Sequence, residues 1–221
     1  YAQTLSGAIT IPQTVTNNNS QQWTVTEIDE KAFNGVSTIT AVTLPPSVMV
    51  IGNLAFYRTT NLASINFPAA LSYIGVSAFE ESGLTKADIP GVTFIATTAF
   101  QRCKNLAQLS IPQVNCLGVN SFAFCTSLTS VTVPASARLQ EEVSPNVQNA
   151  PSEESGVNAF FGCSELKEVT IEDGIQNIAG GMFSECRSIA KMELPASVNY
   201  IRKGAFSCCR SLESINMPRV T

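Results

Sequence analysis

The sequence predicts a mainly β solenoid of about eight coils of 22–23 residues, with a parallel sheet on one face and little α-helix. Three observations lead to this prediction. Phenylalanine recurs at a nearly fixed spacing, columns of small and aliphatic residues keep a fixed phase to it, and a short apolar–polar alternation follows each copy. Such a period is typical of stacked coils, because one short unit cannot bury its own apolar face.

The recurring phenylalanines set the phase of every coil. Their spacings are 23, 23, 21, 22, 38, 23 and 23 residues, for Phe33, Phe56, Phe79, Phe100, Phe122, Phe160, Phe183 and Phe206. Alanine precedes six of them, which predicts close backbone packing beside a large buried ring. An aliphatic residue lies five residues before seven of them, and only the sixth copy, with Ser155 in this place, interrupts the column.

Each coil contains a short strand after the phenylalanine. The alternation apolar–polar–apolar–Pro occurs at 65–68, 109–112, 131–134, 192–195 and 215–218. A period of two predicts a strand with one buried face, and proline ends it because it has no N–H to donate to the ladder. A second short strand is predicted at 72–74 and 199–201. The strands of successive coils should therefore form a parallel sheet, with turns around each phenylalanine.

Residues 1–27 do not follow the repeat and are predicted to form an N-terminal capping segment, ahead of a solenoid at 28–221. Ile9-Thr10-Ile11 and Trp23-Thr24-Val25 flank the polar turn 17–20, which predicts a β-hairpin between these two runs. The hairpin would cover the first coil, whose apolar end is otherwise open. Trp23, the only tryptophan, is expected to pack into that cap rather than to serve as a ligand platform.

The spacing of 38 residues predicts a loop insertion at 135–156. This stretch is acidic and is broken by Pro145 and Pro151. A tolerated surface loop explains it, since long insertions cost little, and a partner or metal site is the alternative. No spacing in it matches a calcium loop.

Composition narrows the function classes. The net charge of −4 provides no basic surface for nucleic acid, and no apolar run is long enough to span a bilayer. Histidine is absent, which removes the commonest general base and metal ligand and lowers the expectation of catalysis. No cofactor or metal is expected. Any catalytic carboxylate pair would have to come from Glu141, Glu142, Glu153, Glu154, Glu172 or Asp173.

Five of the seven cysteines share one phase. They lie three residues after a repeat phenylalanine, at Cys103, Cys125, Cys163, Cys186 and Cys209. A column at fixed phase predicts buried thiols that pack as small apolar groups. Bridges between column neighbours, such as Cys103–Cys125 or Cys186–Cys209, are geometrically conceivable, and the sequence leaves them open.

The outward positions form the candidate ligand surface. On the main sheet these are the polar residues at the centre of each strand, Asn66, Asp88, Ser110, Thr132, Thr170, Glu193 and Asn216. They predict either a shallow groove for a peptide or glycan or an ordinary solvated sheet face. A separate outward stripe on the second strands consists of the aromatic residues Tyr73, Phe94 and Tyr200. Aromatic side chains at exposed strand positions bind partners or shield the sheet beneath them.

The repeat unit resembles the BspA-like leucine-rich repeat. The motif Ile-Gly-x-x-Ala-Phe-x-x-Cys-x-x-Leu-x-x-Ile-x-Ile-Pro is best kept at Ile51-Gly52…Phe67-Pro68 and at Ile201…Ile215. The resemblance spans residues 28–221, and the opening segment is similar to the entry segment of such proteins. It implies a secreted or surface-attached protein, typically bacterial, from which a signal peptide has been removed. It also implies adhesion to a protein or glycan of a host or neighbouring cell, and it supplies no catalytic residues.

The leading hypothesis is therefore a non-catalytic binding protein of the cell surface, expected to be a monomer. The alternative is a structural spacer within a larger surface protein, whose ligand site lies elsewhere.

Overall fold

The structure, a computed structural model, describes residues 5–138 and 157–216, and these contain strands and turns but no helix. In chain order the described strands are β1 Gly7–Thr10, β2 Thr14–Thr16, β3 Gln22–Thr24, β4 Glu27–Ile28, β5 Ile39–Thr43, β6 Val50–Ile51, β7 Ser64–Ile65, β8 Tyr73–Ile74, β9 Lys86–Asp88, β10 Phe94–Ile95, β11 Gln108–Ser110, β12 Cys116–Leu117, β13 Ser130–Val133, β14 Glu168–Ile171, β15 Asn177–Ile178, β16 Lys191–Glu193, β17 Tyr200–Ile201 and β18 Ser214–Asn216.

The strands form two parallel faces of a solenoid, which confirms the predicted fold. The main sheet runs through β1, β5, β7, β9, β11, β13, β14, β16 and β18, and its parallel ladders are β1-β5-β7, β9-β11, β13-β14 and β16-β18. The second sheet contains β4-β6-β8-β10-β12 and, beyond a bridge between Cys116 and Arg138, β15-β17. Successive coils stack in register on both faces, so equivalent positions form continuous columns.

The phenylalanines stack as one column on the third side of the coil. Neighbouring ring centroids lie 5.0–5.8 Å apart and the rings are within 13° of parallel. Six rings are fully buried, Phe33 is 9% exposed and Phe206 is half-buried at the C-terminal end of the described coils. Beside the rings a third backbone ladder runs between coils. In it the Phe33 N–H donates to the Ala55 carbonyl and the Phe56 N–H to the Ala78 carbonyl, each at 2.7 Å.

A left-handed residue on each side of the phenylalanine makes this ladder. Leu54 and Arg58 bracket Phe56 with φ of 56° and 55°, and their N–H groups donate to Val76 and Glu80 of the next coil. The reversal of backbone handedness turns alternate N–H groups toward the next coil. This left-handed conformation is costly for any residue other than glycine. The contacts between the stacked coils hold it in place.

The cysteine column lies beside the rings. The four thiols of Cys103, Cys125, Cys163 and Cys186 are buried, which confirms the prediction for them, and Cys209 is half-buried. Each of the five donates to the phenylalanine carbonyl of the preceding coil at 3.0–3.3 Å, as Cys103 does to Phe79. None of the five is bridged by a disulfide in this structure. The column therefore joins coils through hydrogen bonds rather than through disulfides.

The N-terminal segment differs from its prediction in two ways. The Ile9-Thr10-Ile11 run does not enter the hairpin, because β1 pairs in parallel with β5 and so extends the main sheet. The antiparallel partner of β3 is β2 instead. Trp23 does not pack into a cap, since its side chain is 61% exposed. The division of the chain at residue 27 stays a prediction.

The first four residues of the predicted loop continue the regular coil. Residues 135–138 belong to it, because Arg138 pairs with Cys116 and its carbonyl accepts from the Leu117 N–H. The remainder of the predicted loop, 139–156, lies outside the described residues.

Candidate functional site

The outward positions of the main sheet form two aligned columns of side chains. Register pairs Lys86 with Gln108 and Asp88 with Ser110, and the later strands continue the columns in the same way. The second column lies at or next to the C-terminal end of each strand and is exposed throughout, at Asn66, Asp88, Ser110, Thr132, Thr170, Glu193 and Asn216. We refer to the exposed side chains of both columns as the polar strip. Their placement follows the prediction, and their role in binding stays a prediction.

Asn66 has a structural task within this strip. Its Nδ2 donates to the Leu44 carbonyl at 2.9 Å, and its Oδ1 accepts from the Leu44 N–H at 2.6 Å. The side-chain amide thus completes the backbone pairing between β5 and β7, beyond the point where β7 ends. These bonds occupy the side chain, so Asn66 is a weaker candidate for ligand contact than its neighbours.

A cleft interrupts the main sheet between β7 and β9. The Thr85 N–H donates to the Ala63 carbonyl at 3.2 Å, and beyond that bond the two strands belong to separate ladders. The opening has a volume of about 370 Å³. Its lining includes Ser64, Asn66, Phe67, Lys86, Asp88 and Pro90. We call it the β7–β9 cleft.

One charge pair lies at the cleft. Lys86 Nζ lies 3.9 Å from Asp88 Oδ2, and both side chains are more than half exposed. A pair at this distance and exposure contributes little to stability. Its charges are therefore available to a ligand at small energetic cost.

Two glycines frame the cleft. A Cβ on Gly91 would overlap the carbonyl oxygen of Ala69 and lie 3.1 Å from that of Leu71, and a Cβ on Gly83 would overlap the carbonyl of Thr60. The coil that carries β9 thus packs backbone against backbone on the preceding coil at both ends of the strand. Phe67 fills the core beneath, with its ring edge-on to Phe79 at 5.7 Å and to Phe100 at 6.5 Å.

Replacing Gly91 with alanine is expected to lower the free energy of unfolding by about 1–3 kcal/mol, because the backbone carbonyls it would meet cannot move aside without cost. Urea denaturation followed by circular dichroism measures the change. Gly35→Ala is the matched control, since a Cβ there meets nothing within 4 Å and only its φ of 71° is unfavourable. That control should cost about 1 kcal/mol. A loss at Gly35 that equals the loss at Gly91 would contradict the steric explanation.

The predicted aromatic stripe of Tyr73, Phe94 and Tyr200 on the second sheet is not continuous. Tyr73 and Phe94 are half-buried on adjacent strands, and their rings stack at 5.2 Å. Tyr200 lies on β17, paired with Asn177, and is 60% exposed with the Arg202 guanidinium 5.8 Å from its ring centroid. The first two therefore make one patch, and Tyr200 is not part of it.

A charged cluster that was not predicted from the sequence lies on the phenylalanine side. Arg58 Nε lies 3.0 Å from Glu81 Oε2, and Arg102 lies 3.6 Å from Glu80. The hydrogen bond to Glu81 raises the pKa of Arg58, so this guanidinium stays charged. The signal was available, because the residue two places after each of three successive phenylalanines is charged, at Arg58, Glu81 and Arg102, and Glu80 lies one place after the second. Exposed pairs of this kind hold neighbouring coils together only weakly.

The buried thiols are chemically quiet. Burial raises the pKa of Cys103 to about 12, although a hydrogen bond with Ser82 opposes the shift, and burial raises the pKa of Cys163 to about 12 as well. Burial also places the pKa values of Cys125 and Cys186 well above the ordinary value. The thiolate is the nucleophile and the metal ligand, so these protonated thiols serve packing instead.

The predicted carboxylates are only partly described. Glu172 accepts the Ala135 N–H at 2.9 Å and so joins β14 to the preceding coil. Glu141, Glu142, Glu153 and Glu154 lie outside the described residues. Within 5–138 and 157–216, no cluster of three or more Cys, Asp or Glu is placed to hold a metal ion. Over the same residues no helix has the length and hydropathy to cross a membrane.

Comparisons with known proteins agree on the repeat. The family model for the BspA type leucine rich repeat region matches with six copies over residues 26–146 and 151–221. No curated protein matches the chain.

Three solved structures show the similarity in detail. A leucine rich repeat protein of T. pallidum is 25% identical with a TM-score of 0.57, and the match covers 93% of this chain and 77% of that one. The pneumococcal vaccine antigen PcpA is 18% identical with a TM-score of 0.57 and coverage of 97% and 73%. A leucine-rich repeat protein from Bacteroides ovatus ATCC 8483 is 23% identical with a TM-score of 0.45 and coverage of 96% and 83%.

Proposed function

Because this chain belongs to the BspA-type leucine-rich repeat family, we propose that it is a non-catalytic binding protein of the cell surface or extracellular space. Its task is adhesion to a molecule of a host or neighbouring cell. The polar strip and the β7–β9 cleft form the binding surface, and an extended segment of a protein is the ligand that this surface fits best.

The cleft is the observation that carries this proposal. It lies at one of the interruptions in the ladder of the main sheet, between β7 and β9, and it opens onto the face where the polar strip is exposed. An extended peptide laid across parallel strands can place one side chain in such an opening. Its other side chains and backbone groups then meet the hydroxyl and amide groups of the neighbouring strands.

The charges of the strip favour a protein partner. Lys86 and Asp88 lie together on β9, and Lys191 and Glu193 lie together on β16. Both signs alternate along one face, which complements a segment that itself carries both signs. A strip of this kind has no net field to attract a uniformly charged polymer.

Charge reversal at the cleft tests the proposal. The isolated chain is screened by surface plasmon resonance against a panel of extracellular matrix proteins, and the best ligand is titrated with variants. Lys86→Glu is expected to weaken binding by about tenfold or more. It removes the positive charge that the cleft offers to the ligand and places a second negative charge beside Asp88. Lys104→Glu is the matched control, because Lys104 is an exposed lysine in a turn outside the polar strip, and this variant should bind as the unchanged chain does.

Two results would contradict the proposal. If Lys86→Glu binds as tightly as Lys104→Glu, the ligand does not use the cleft. If no protein of a broad panel binds, the chain is a spacer within a larger surface protein. A screen with hydrolase substrates tests the proposal that the protein is not catalytic. Turnover that is abolished by Glu172→Gln would overturn it.

A further inference from the structure

The most exposed large apolar side chain of the described residues lies on the N-terminal hairpin, away from the polar strip. Trp23 on β3 is 61% exposed, and Val15, directly opposite it on β2, is 47% exposed. Every residue of β3 is exposed. An indole left in water on a hairpin contributes little to folding, so its position needs another explanation.

A fixed pair of amides lies at the turn end of the hairpin. Asn17 follows β2 and Gln21 precedes β3, and the Asn17 N–H donates to the Gln21 carbonyl at 3.0 Å, so this pair continues the pairing of the two strands. The alternation of the strands then assigns Asn17 and Gln21 to the face of Val15 and Trp23. Asn17 Nδ2 donates to Gln21 Oε1 at 2.9 Å. The Asn17 Oδ1 in turn accepts the N–H groups of Asn19 and Gln21 at 2.9 and 3.0 Å, which locks the turn. The amide pair is thus held in place before any ligand arrives.

The opposite face of the hairpin has a different character. Thr14, Thr16, Gln22 and Thr24 lie there, and Gln22 Nε2 donates to Thr14 Oγ1 at 3.1 Å. This bond joins the two strands on that face. The face of Trp23 instead combines one aromatic platform with amide groups that retain further donors and acceptors.

The segment is also free of charge. No Asp, Glu, Lys or Arg occurs from Tyr1 to Thr26, although the whole chain is 14% charged. Amide and hydroxyl side chains provide nearly all of the polarity of this stretch. A ligand matched to such a surface has no charge to neutralise and many hydroxyl groups to satisfy.

We propose that the face of Trp23, Val15, Asn17 and Gln21 binds a neutral glycan chain. The indole stacks on the apolar C–H face of a pyranose ring, and the Asn17–Gln21 pair exchanges hydrogen bonds with hydroxyl groups of an adjoining sugar. This site is separate from the β7–β9 cleft and does not depend on the function proposed for it.

A protein partner fits this face less well. Two exposed apolar side chains on a short hairpin bury far less than the roughly 800 Å² per partner of a stable protein interface. Anionic glycans are also a poor match, because the segment provides no cation to pair with their charges.

The only tryptophan of the chain reports directly on the site. Intrinsic fluorescence is recorded while neutral oligosaccharides are added, including glucan, mannan and galactan hexasaccharides of different linkages, with heparin as the anionic comparison. We expect at least one neutral oligosaccharide to shift the emission to shorter wavelength, because stacking removes the indole from water. Heparin should leave the spectrum unchanged.

Variants measured by calorimetry locate the contact. Trp23→Ala is expected to weaken binding by about tenfold or more and Gln21→Ala by about threefold to tenfold. Gln22→Ala, the matched amide on the opposite face, should bind normally. Trp23→Ala should keep the thermal midpoint, since the side chain is exposed.

The proposal fails if no neutral oligosaccharide of the panel changes the emission. It also fails if Trp23→Ala or Gln21→Ala binds as tightly as Gln22→Ala does, or if heparin binds and the neutral oligosaccharides do not. Loss of binding in Lys86→Glu concerns the cleft alone, so the two sites are tested independently.

Discussion

Replacing Phe100 with alanine is expected to lower the free energy of unfolding by about 3–5 kcal/mol. Its ring is fully buried and stacks on Phe79 at 5.1 Å and on Phe122 at 5.0 Å. Truncation leaves a cavity that rigid coils on both sides cannot close, because each coil is held by three parallel ladders. Guanidinium denaturation followed by far-ultraviolet circular dichroism measures the loss.

A second phenylalanine provides the control. Phe124 is only half-buried and meets Phe161 edge-on at 5.1 Å outside the ring column. Phe124→Ala should therefore cost clearly less than Phe100→Ala, because much of its surface is already in water. Equal losses at the two positions would show that the stacked column is not the main source of cohesion.

Alkaline pH is expected to destabilise the protein through its buried thiols. Burial raises the pKa of Cys103 and of Cys163 from the ordinary 9.0 to about 12. Below pH 9 both the folded and the unfolded chain hold these protons, so stability is unaffected. Between pH 9 and 12 the unfolded chain releases protons that the folded chain retains, and each such thiol removes about 1.4 kcal/mol of stability per pH unit.

Urea unfolding at a series of pH values measures this slope. Lysine, tyrosine and arginine also titrate in this range, so a matched variant is needed. Cys163→Ser keeps a donor that can reach the Phe122 carbonyl and removes the titrating thiol. Its stability should fall less steeply above pH 9 than that of the unchanged chain. Parallel slopes for the two proteins would rule out the thiol as the cause.

The repeating part of the molecule could be predicted from the sequence in detail. The phase of Phe56, the strand at Tyr73–Ile74 and the burial of Cys125 all follow from columns that recur at one spacing. Each coil packs on a coil of the same kind, so equivalent positions have nearly the same surroundings. They therefore carry the same residue type in each copy.

Features that occur once were predicted poorly. Ile9 and Trp23 suggested a capping hairpin, but Ile9 joins the main sheet and Trp23 remains exposed. A run such as Trp23-Thr24-Val25 shows that a strand forms, but it does not show which neighbour the strand pairs with or which face is covered. That residues 135–138 continue the coil was missed for the same reason, because a single bridge between Arg138 and Cys116 shows it.

By itself, the sequence determined the solenoid, its inward columns and the outward direction of the polar strip. A contact that recurs in every coil requires the same residue type at the same position, so it is visible as a column in the sequence. Only the tertiary structure decided where the strip is interrupted and what it exposes. The β7–β9 cleft lies on a coil that packs backbone against backbone on its neighbour at Gly83 and Gly91, and the amide of Asn66 is bonded to Leu44. The free face of Trp23 depends on β2 rather than β1 being its partner. These are contacts between particular segments, and no periodic pattern encodes them.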